Sequence, residues 1–100
     1  MIKHIVFWKL KEESNGHDKA TNALLMKEKL EALNGQIPGL LKLEVGLDFS
    51  KSGMSADVAL YSEFACVEDL KIYDEHPKHV AVKGFVGDVK SDRWVVDYEI

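Results

Sequence analysis

Apolar and polar positions along residues 2–10 predict a strand, because the run is rich in β-branched and aromatic side chains. Ile2, His4, Val6 and Trp8 fall on one face of that strand and Ile5 and Phe7 on the other. Both faces are largely apolar, whereas a strand that meets water on one side shows polar residues there. We therefore expect both sides of this strand to be covered.

A helical period follows a short polar stretch. The spacing predicts an amphipathic helix from about Asp18 to Leu33, ended by Asn34-Gly35, with apolar positions at Ala20, Ala23, Met26, Leu30 and Leu33.

Strict alternation then predicts a strand from Leu41 to Phe49, and a second strand covers Asp57 to Phe64. One face of the first strand carries Leu41, Leu43, Val45, Leu47 and Phe49. The turn-forming residues from Ser50 to Ser55 lie between the two strands, so a hairpin is expected.

The last third of the chain predicts two short helices and a strand. Residues Cys66 to Asp74 show helical spacing, Pro77 interrupts them and suits a new helix start, and His79 to Val86 form the second piece. Arg93 to Ile100 is the final strand. The order β-α-β-β-α-β predicts one α+β domain over residues 1–100, with a four-stranded antiparallel sheet.

In this arrangement the helices cover one face of the sheet and leave the other face open. Apolar residues for that open face come from the first strand or from Trp94, Val96 and Tyr98 in the last one. Burying five such side chains is worth roughly 7–15 kcal/mol, comparable with the stability of a whole domain. We therefore predict a homodimer in which two open sheet faces pack together as a closed two-chain barrel.

Composition narrows the class of protein. The chain is 46% hydrophobic and 30% charged, as globular proteins are, and it has a net charge of −4 with no basic cluster, which argues against a nucleic-acid partner. No apolar run is long enough to cross a membrane, and the first residues do not resemble a signal peptide, so we expect a cytoplasmic protein without a membrane partner. The single cysteine, Cys66, is compatible with that compartment.

The densest group of chemically active side chains is the segment Tyr73-Asp74-Glu75-His76-Pro77-Lys78-His79. An imidazole exchanges a proton near neutral pH, and a phenol donates a hydrogen bond to a carbonyl oxygen as that oxygen gains charge. This combination suits proton abstraction beside a carbonyl. The competing interpretation is structural: His76 caps a helix, while Asp74 and Glu75 are solvated at a turn.

His4, Trp8 and Asp57 are the candidate ligand-binding residues. His4 interrupts an apolar strand face, where a polar ring needs a partner, so it either lines a cavity or is a core histidine satisfied by a hydrogen bond. Asp57 is a possible acceptor for that bond, or else an exposed residue near the turn.

No cofactor or metal is expected. The sequence contains no glycine-rich phosphate loop, CxxC pair or GxSxG motif. His76 and His79 are spaced for one helix face, but Pro77 lies between them, so no metal site is assigned.

Four segments resemble the stress-responsive A/B-barrel (Dabb) family: Ile2-Lys3-His4-Ile5-Val6, Ile37-Pro38-Gly39, the His-Pro-x-His segment within Tyr73 to Val80, and Trp94 to Tyr98. The resemblance spans nearly the whole chain and implies a ferredoxin-like fold and a dimeric α/β barrel.

That family includes the plant olivetolic acid cyclase, which closes a polyketide ring by aldol condensation. The resemblance implies catalytic roles for His79 and Tyr73 and a pocket position for His4. Asp57 stands where the cyclase carries a further pocket histidine, and this departure implies a different ligand.

Three functional hypotheses follow. The first is a dimeric binding or stress-associated protein without an assigned activity. Its pocket holds a small ligand that is apolar or aromatic. The second is a polyketide cyclase-like enzyme with His79 as general base and Tyr73 orienting a substrate carbonyl. The third is a cofactor-free monooxygenase on the same barrel.

Overall fold

The computed structural model describes all residues from Met1 to Ile100. In chain order its elements are β1 (Ile2–Leu10), β2 (Glu13–Ser14), β3 (His17–Asp18), α1 (Lys19–Glu31), β4 (Leu40–Leu47), β5 (Val58–Phe64), α2 (Val67–Glu75), α3 (Pro77–Val89) and β6 (Lys90–Glu99). Strands β4, β5, β1 and β6 form an antiparallel sheet in that order, so β6 and β4 are the edges. This is the predicted ferredoxin-like α+β fold.

The register of the sheet fixes which side chains share a face. Trp8 lies opposite Val58 and Arg93, and Val6 lies opposite Leu60 and Val95, all on the side of the helices. The core forms between this side and the helices, from seventeen buried apolar residues that include Val6, Met26, Leu60, Phe64 and Tyr73. None of the helices has the length and apolar composition needed to cross a bilayer.

The opposite side of the sheet is not covered by any helix. Cross-strand pairs place Phe7 beside Trp94 and Ile5 beside Val96, and Tyr98 continues the row. We call the surface formed by Ile5, Phe7, Trp94, Val96 and Tyr98 the open apolar face. Four of these side chains are 40–54% exposed, so the face is wet in a single chain.

Strand β4 differs from the alternation read in the sequence. The pairing with β5 shifts between Leu40 and Lys42, which leaves Leu41 as an extra residue whose side chain is exposed. Phe49 lies beyond the end of the strand and is 93% exposed. Only Leu43, Val45 and Leu47 of the predicted row therefore face the helices: the bulge moves Leu41 out of the two-residue period, and Phe49 lies outside the strand.

Three smaller differences concern the other elements. The polar segment before α1 forms the small hairpin β2–β3, which the sequence did not predict. Helix α1 begins after Asp18, whose carboxylate accepts a hydrogen bond from the Thr21 amide, but Ala20 is exposed rather than inward. Strand β6 begins at Lys90, three residues earlier than expected.

Candidate functional site

The break between α2 and α3 brings Tyr73 and His79 together. His76 has an extended backbone (ψ 134°), as residues before proline do, and Pro77 is the first residue of α3, where its missing N–H costs nothing. The ring of His76 accepts a hydrogen bond from the Lys78 amide at 3.1 Å. His76 is therefore a helix cap, and the turn that it stabilises stacks the rings of Tyr73 and His79 with centroids 4.1 Å apart.

A cavity of about 380 Å³ lies between these rings, α3 and the sheet, and we call it the His79 cavity. Its volume falls within the usual range for small-molecule sites. The apolar part of the wall comes from both layers of the fold: Val6, Trp8, Leu30, Leu60, Val82 and Val86. The polar part consists of His4, Tyr73, Asp74, His79, Lys83, Lys90 and Arg93.

The environment of His79 favours a neutral imidazole. Burial lowers the pKa of His79, and the nearby Lys83 charge acts in the same direction. Its Nδ1 lies 3.2 Å from the carbonyl oxygen of Asp74, which can only accept, so Nδ1 carries the hydrogen. The other ring nitrogen, Nε2, is then unprotonated and has a lone pair available to accept a proton.

Tyr73 is a neutral phenol in this site. Its side chain is 1% exposed and packs against Phe64 with ring centroids 5.1 Å apart. Burial is the main cause that raises the pKa of Tyr73 far above its ordinary value, with a further contribution from the Asp74 carboxylate. The hydroxyl makes no hydrogen bond within the chain, so it is free to donate to a ligand.

Asp74 links the two helices without adding net charge to the cavity. The Lys83 ammonium contacts its carboxylate at 2.7 Å, and this hydrogen bond holds the pKa of Asp74 below its ordinary value. The backbone carbonyl of Asp74 also orients His79. A single turn of α2 therefore fixes the positions of the Lys83 ammonium and the His79 ring.

His4 approaches the site from the sheet. Its ring lies edge-on to Tyr73 with a centroid distance of 6.2 Å, and its Nδ1 is paired with the carboxylate of Asp97 on β6. Asp57, the acceptor that the sequence offered as one possibility, is elsewhere: it accepts a hydrogen bond from the Leu10 amide at 2.8 Å and faces Lys19 at 3.6 Å. Of the two alternatives for Asp57, the hydrogen bond with His4 is not formed, because His4 lies opposite Ser62 and Asp97 while Asp57 precedes the first residue of β5.

The structure thus brings together His4, Trp8, Tyr73 and His79 around the His79 cavity and leaves Asp57 outside it. Sequence reasoning missed Asp97, Arg93, Lys83 and Lys90. The sequence did carry a signal for Asp97 and Arg93, because alternation in the last strand puts them on the face opposite Trp94 and Val96. No three histidine, cysteine or acidic side chains converge closely enough to hold a metal ion.

Comparison with known proteins places the chain in a family. The family model for the stress responsive A/B barrel domain, Dabb, matches residues 2–100. The chain belongs to the Dabb family. A comparison of this Dabb domain with curated proteins found no match.

Solved structures share the fold of this Dabb domain. A dimeric protein of unknown function with a ferredoxin-like fold from Bacteroides fragilis is 39% identical, with a TM-score of 0.87 over 99% of this chain and 95% of that one. A dimeric ferredoxin-like protein of unknown function from Thermobifida fusca is 21% identical (TM-score 0.83, 99% and 90% covered). The hydroxynitrile lyase from Passiflora edulis is 19% identical (TM-score 0.78, 99% and 92% covered).

Proposed function

We propose that this Dabb domain is a dimeric small-molecule-binding protein whose His79 cavity holds a small apolar or aromatic ligand. The observation that carries the proposal is the convergence of His4, Trp8, Tyr73 and His79 on one cavity of about 380 Å³. Apolar walls supply most of the binding free energy in such sites, and a few polar groups fix the orientation of the ligand.

The dimer forms through the open apolar face. Two observations support this part of the proposal: the uncovered row of apolar side chains on β1 and β6, and the description of the 39% identical Bacteroides fragilis protein as dimeric. Strand β6 contributes to both the dimer face and the ligand site. Trp94, Val96 and Tyr98 point to the dimer side, while Arg93 and Asp97 point to the ligand side, so pairing of two chains also fixes one wall of the site.

Acid–base catalysis is the second candidate, and the geometry of His79 favours it. Its Nε2 can take a proton from a carbon flanked by two carbonyl groups, and the resulting enolate carbon then attacks another carbonyl of the same molecule. The Tyr73 hydroxyl donates a hydrogen bond to the carbonyl oxygen that becomes negative, and that oxygen then takes back the proton. This is an aldol ring closure, and it needs no cofactor.

One experiment separates the binding protein from the enzyme. The wild-type protein is incubated with linear compounds that carry several β-keto groups, and cyclised product is followed by mass spectrometry, while binding is followed by calorimetry. The His79→Ala variant tests the base, and His17→Ala is the matched control because His17 is exposed in the β2–β3 hairpin.

Turnover that disappears in His79→Ala and persists in His17→Ala supports the cyclase-like enzyme. Binding without turnover supports the binding protein. Hydroquinones in the same screen test the cofactor-free monooxygenase, for which oxygen-dependent loss of the hydroquinone is the readout. Absence of both binding and turnover for every compound contradicts the proposal of an aromatic or apolar ligand site.

A further inference from the structure

One buried polar group beside the His79 cavity has no partner. Trp8 is only 5% exposed, and its indole Nε1 is buried without a hydrogen-bond acceptor in the chain. A buried donor left unsatisfied is unfavourable, and nearly all such groups in native proteins have a protein, water or ligand partner. Trp8 also forms part of the cavity wall.

The same part of the cavity wall carries two cations, Arg93 and Lys90, that form no ion pair within the chain. Arg93 is the direct cross-strand neighbour of Trp8, and Lys90 is paired with Leu10 at the adjoining end of β6. The six ion pairs of the chain involve neither residue. The one acidic residue of the cavity wall, Asp74, is already paired with Lys83.

This concentration of positive charge contrasts with the chain as a whole, which has a net charge of −4. A donor N–H and two cations together form a binding site for an oxyanion, because charge-assisted hydrogen bonds to a carboxylate are about twice as strong as neutral ones. Tyr73 and His79 belong to the helical part of the wall, whereas Lys90 and Arg93 belong to β6. The site therefore combines positive charge from β6, suited to an anionic group, with helical side chains suited to a carbonyl group.

We propose that the His79 cavity selects ligands that carry a carboxylate, with the carboxylate accepting from Trp8 Nε1 and paired with Arg93 and Lys90. This inference deepens the proposed function and rests on it, since it assigns the chemical class of the ligand in that same cavity. It assigns Trp8 a binding role in addition to its place in the core.

The test uses matched pairs of acid and amide: phenylacetate, 3-phenylpropanoate and hexanoate, each against its primary amide. Calorimetry measures the dissociation constant of each compound with the wild-type protein. We expect each acid that binds to do so at least about tenfold more tightly than its amide, the effect of one additional charge-assisted hydrogen bond. In ¹⁵N-labelled protein, the indole N–H resonance that is missing in Trp8→Phe should move downfield when the acid is added.

Variants connect the preference to the residues. Arg93→Gln and Lys90→Gln should each reduce the ratio of the amide dissociation constant to the acid dissociation constant, and the double variant should bring that ratio to about one. Lys51→Gln is the control, because it removes one positive charge from the β4–β5 loop, outside this cavity. If Trp8→Phe does not fold, the Trp8 indole resonance is assigned as the one that remains in Trp94→Phe, since the chain has two tryptophans.

The outcomes distinguish this inference from the proposed function. Equal binding of acid and amide, or a preference that survives the double variant, overturns the carboxylate assignment and leaves the small-molecule cavity in place. An indole resonance that does not move when the acid binds overturns the role of Trp8. Failure of acids and amides alike to bind overturns both proposals together.

Discussion

A single charge on the open apolar face should separate the two protomers. Val96 lies in the middle of β6 opposite Ile5, and its side chain is 54% exposed in one chain. We predict that Val96→Glu converts a dimer into a folded monomer. The monomer should fold because a side chain that is more than half exposed makes few contacts within its own chain.

The magnitude follows from the exposed fraction and the twofold symmetry. Full burial of an aliphatic side chain is worth about 1.5–3 kcal/mol, so burying the exposed half of Val96 contributes about 1 kcal/mol per protomer. The substitution occurs twice in a dimer and therefore removes about 2 kcal/mol of apolar burial. Desolvating two unpaired carboxylates adds a penalty of at least a similar size. A total of about 4 kcal/mol raises the dissociation constant about 1000-fold.

Sedimentation velocity over a micromolar concentration series measures this effect, and circular dichroism checks that the variant is folded. Val80→Glu is the matched control, because Val80 is 50% exposed and lies on α3, away from the sheet. We expect Val80→Glu to sediment as the wild-type dimer does. A Val96→Glu protein that remains fully dimeric, or a Val80→Glu protein that also dissociates, would refute the assignment of the interface to this face.

Three further predictions concern the site and the chain around it. Tyr73→Phe should change the free energy of unfolding by less than about 0.5 kcal/mol in chemical denaturation, because the hydroxyl has no hydrogen-bond partner. Tyr73→Ala should lower the free energy of unfolding by about 3–5 kcal/mol. A large loss in Tyr73→Phe would show that the hydroxyl is hydrogen-bonded. Gly39→Ala should cost more than about 1 kcal/mol by the same measurement, since Gly39 has φ +83° and an added Cβ would meet Asp69, and an unchanged stability would contradict this local geometry. Because the pKa of His79 is lowered in the folded protein, the unfolded chain binds a proton at this residue more readily. The free energy of unfolding of the wild type relative to His79→Gln should therefore fall as the pH drops below the ordinary histidine value of 6.5, and it should be constant above that pH. The opposite slope would mean that the folded protein stabilises the imidazolium.

Much of the fold could be predicted because its signals are local. The apolar, β-branched run of β1, the Pro77 interruption and the period of α1 each determine an element without knowledge of the rest of the chain. Leu41 was misplaced because the bulge in β4 depends on pairing with β5, and an alternation pattern carries no information about register; Phe49 was misplaced because the strand ends at Leu47.

The candidate site, like the fold, could be predicted only in part. Tyr73 and His79 are close in sequence, so the helix break was enough to bring them together. The partner of His4 depends on the register of β1 with β6, which the sequence does not give, so Asp57 was named as a possible acceptor and Asp97 was missed. Arg93 and Lys90 were missed because an isolated cation in an edge strand is ordinarily solvated, and their role follows only from the cavity beside Trp8.

The proposed chemistry of the site begins with one claim, that His79 is a neutral imidazole whose Nδ1–H donates to the Asp74 carbonyl and whose Nε2 accepts protons. Nitrogen-detected NMR of ¹⁵N-histidine-labelled protein across a pH titration measures both the pKa and the tautomer directly, with His79→Gln providing the assignment. The structure predicts a pKa below 6.5 and the Nδ1–H tautomer. A pKa at or above that value, or an Nε2–H tautomer, would contradict the account of this site.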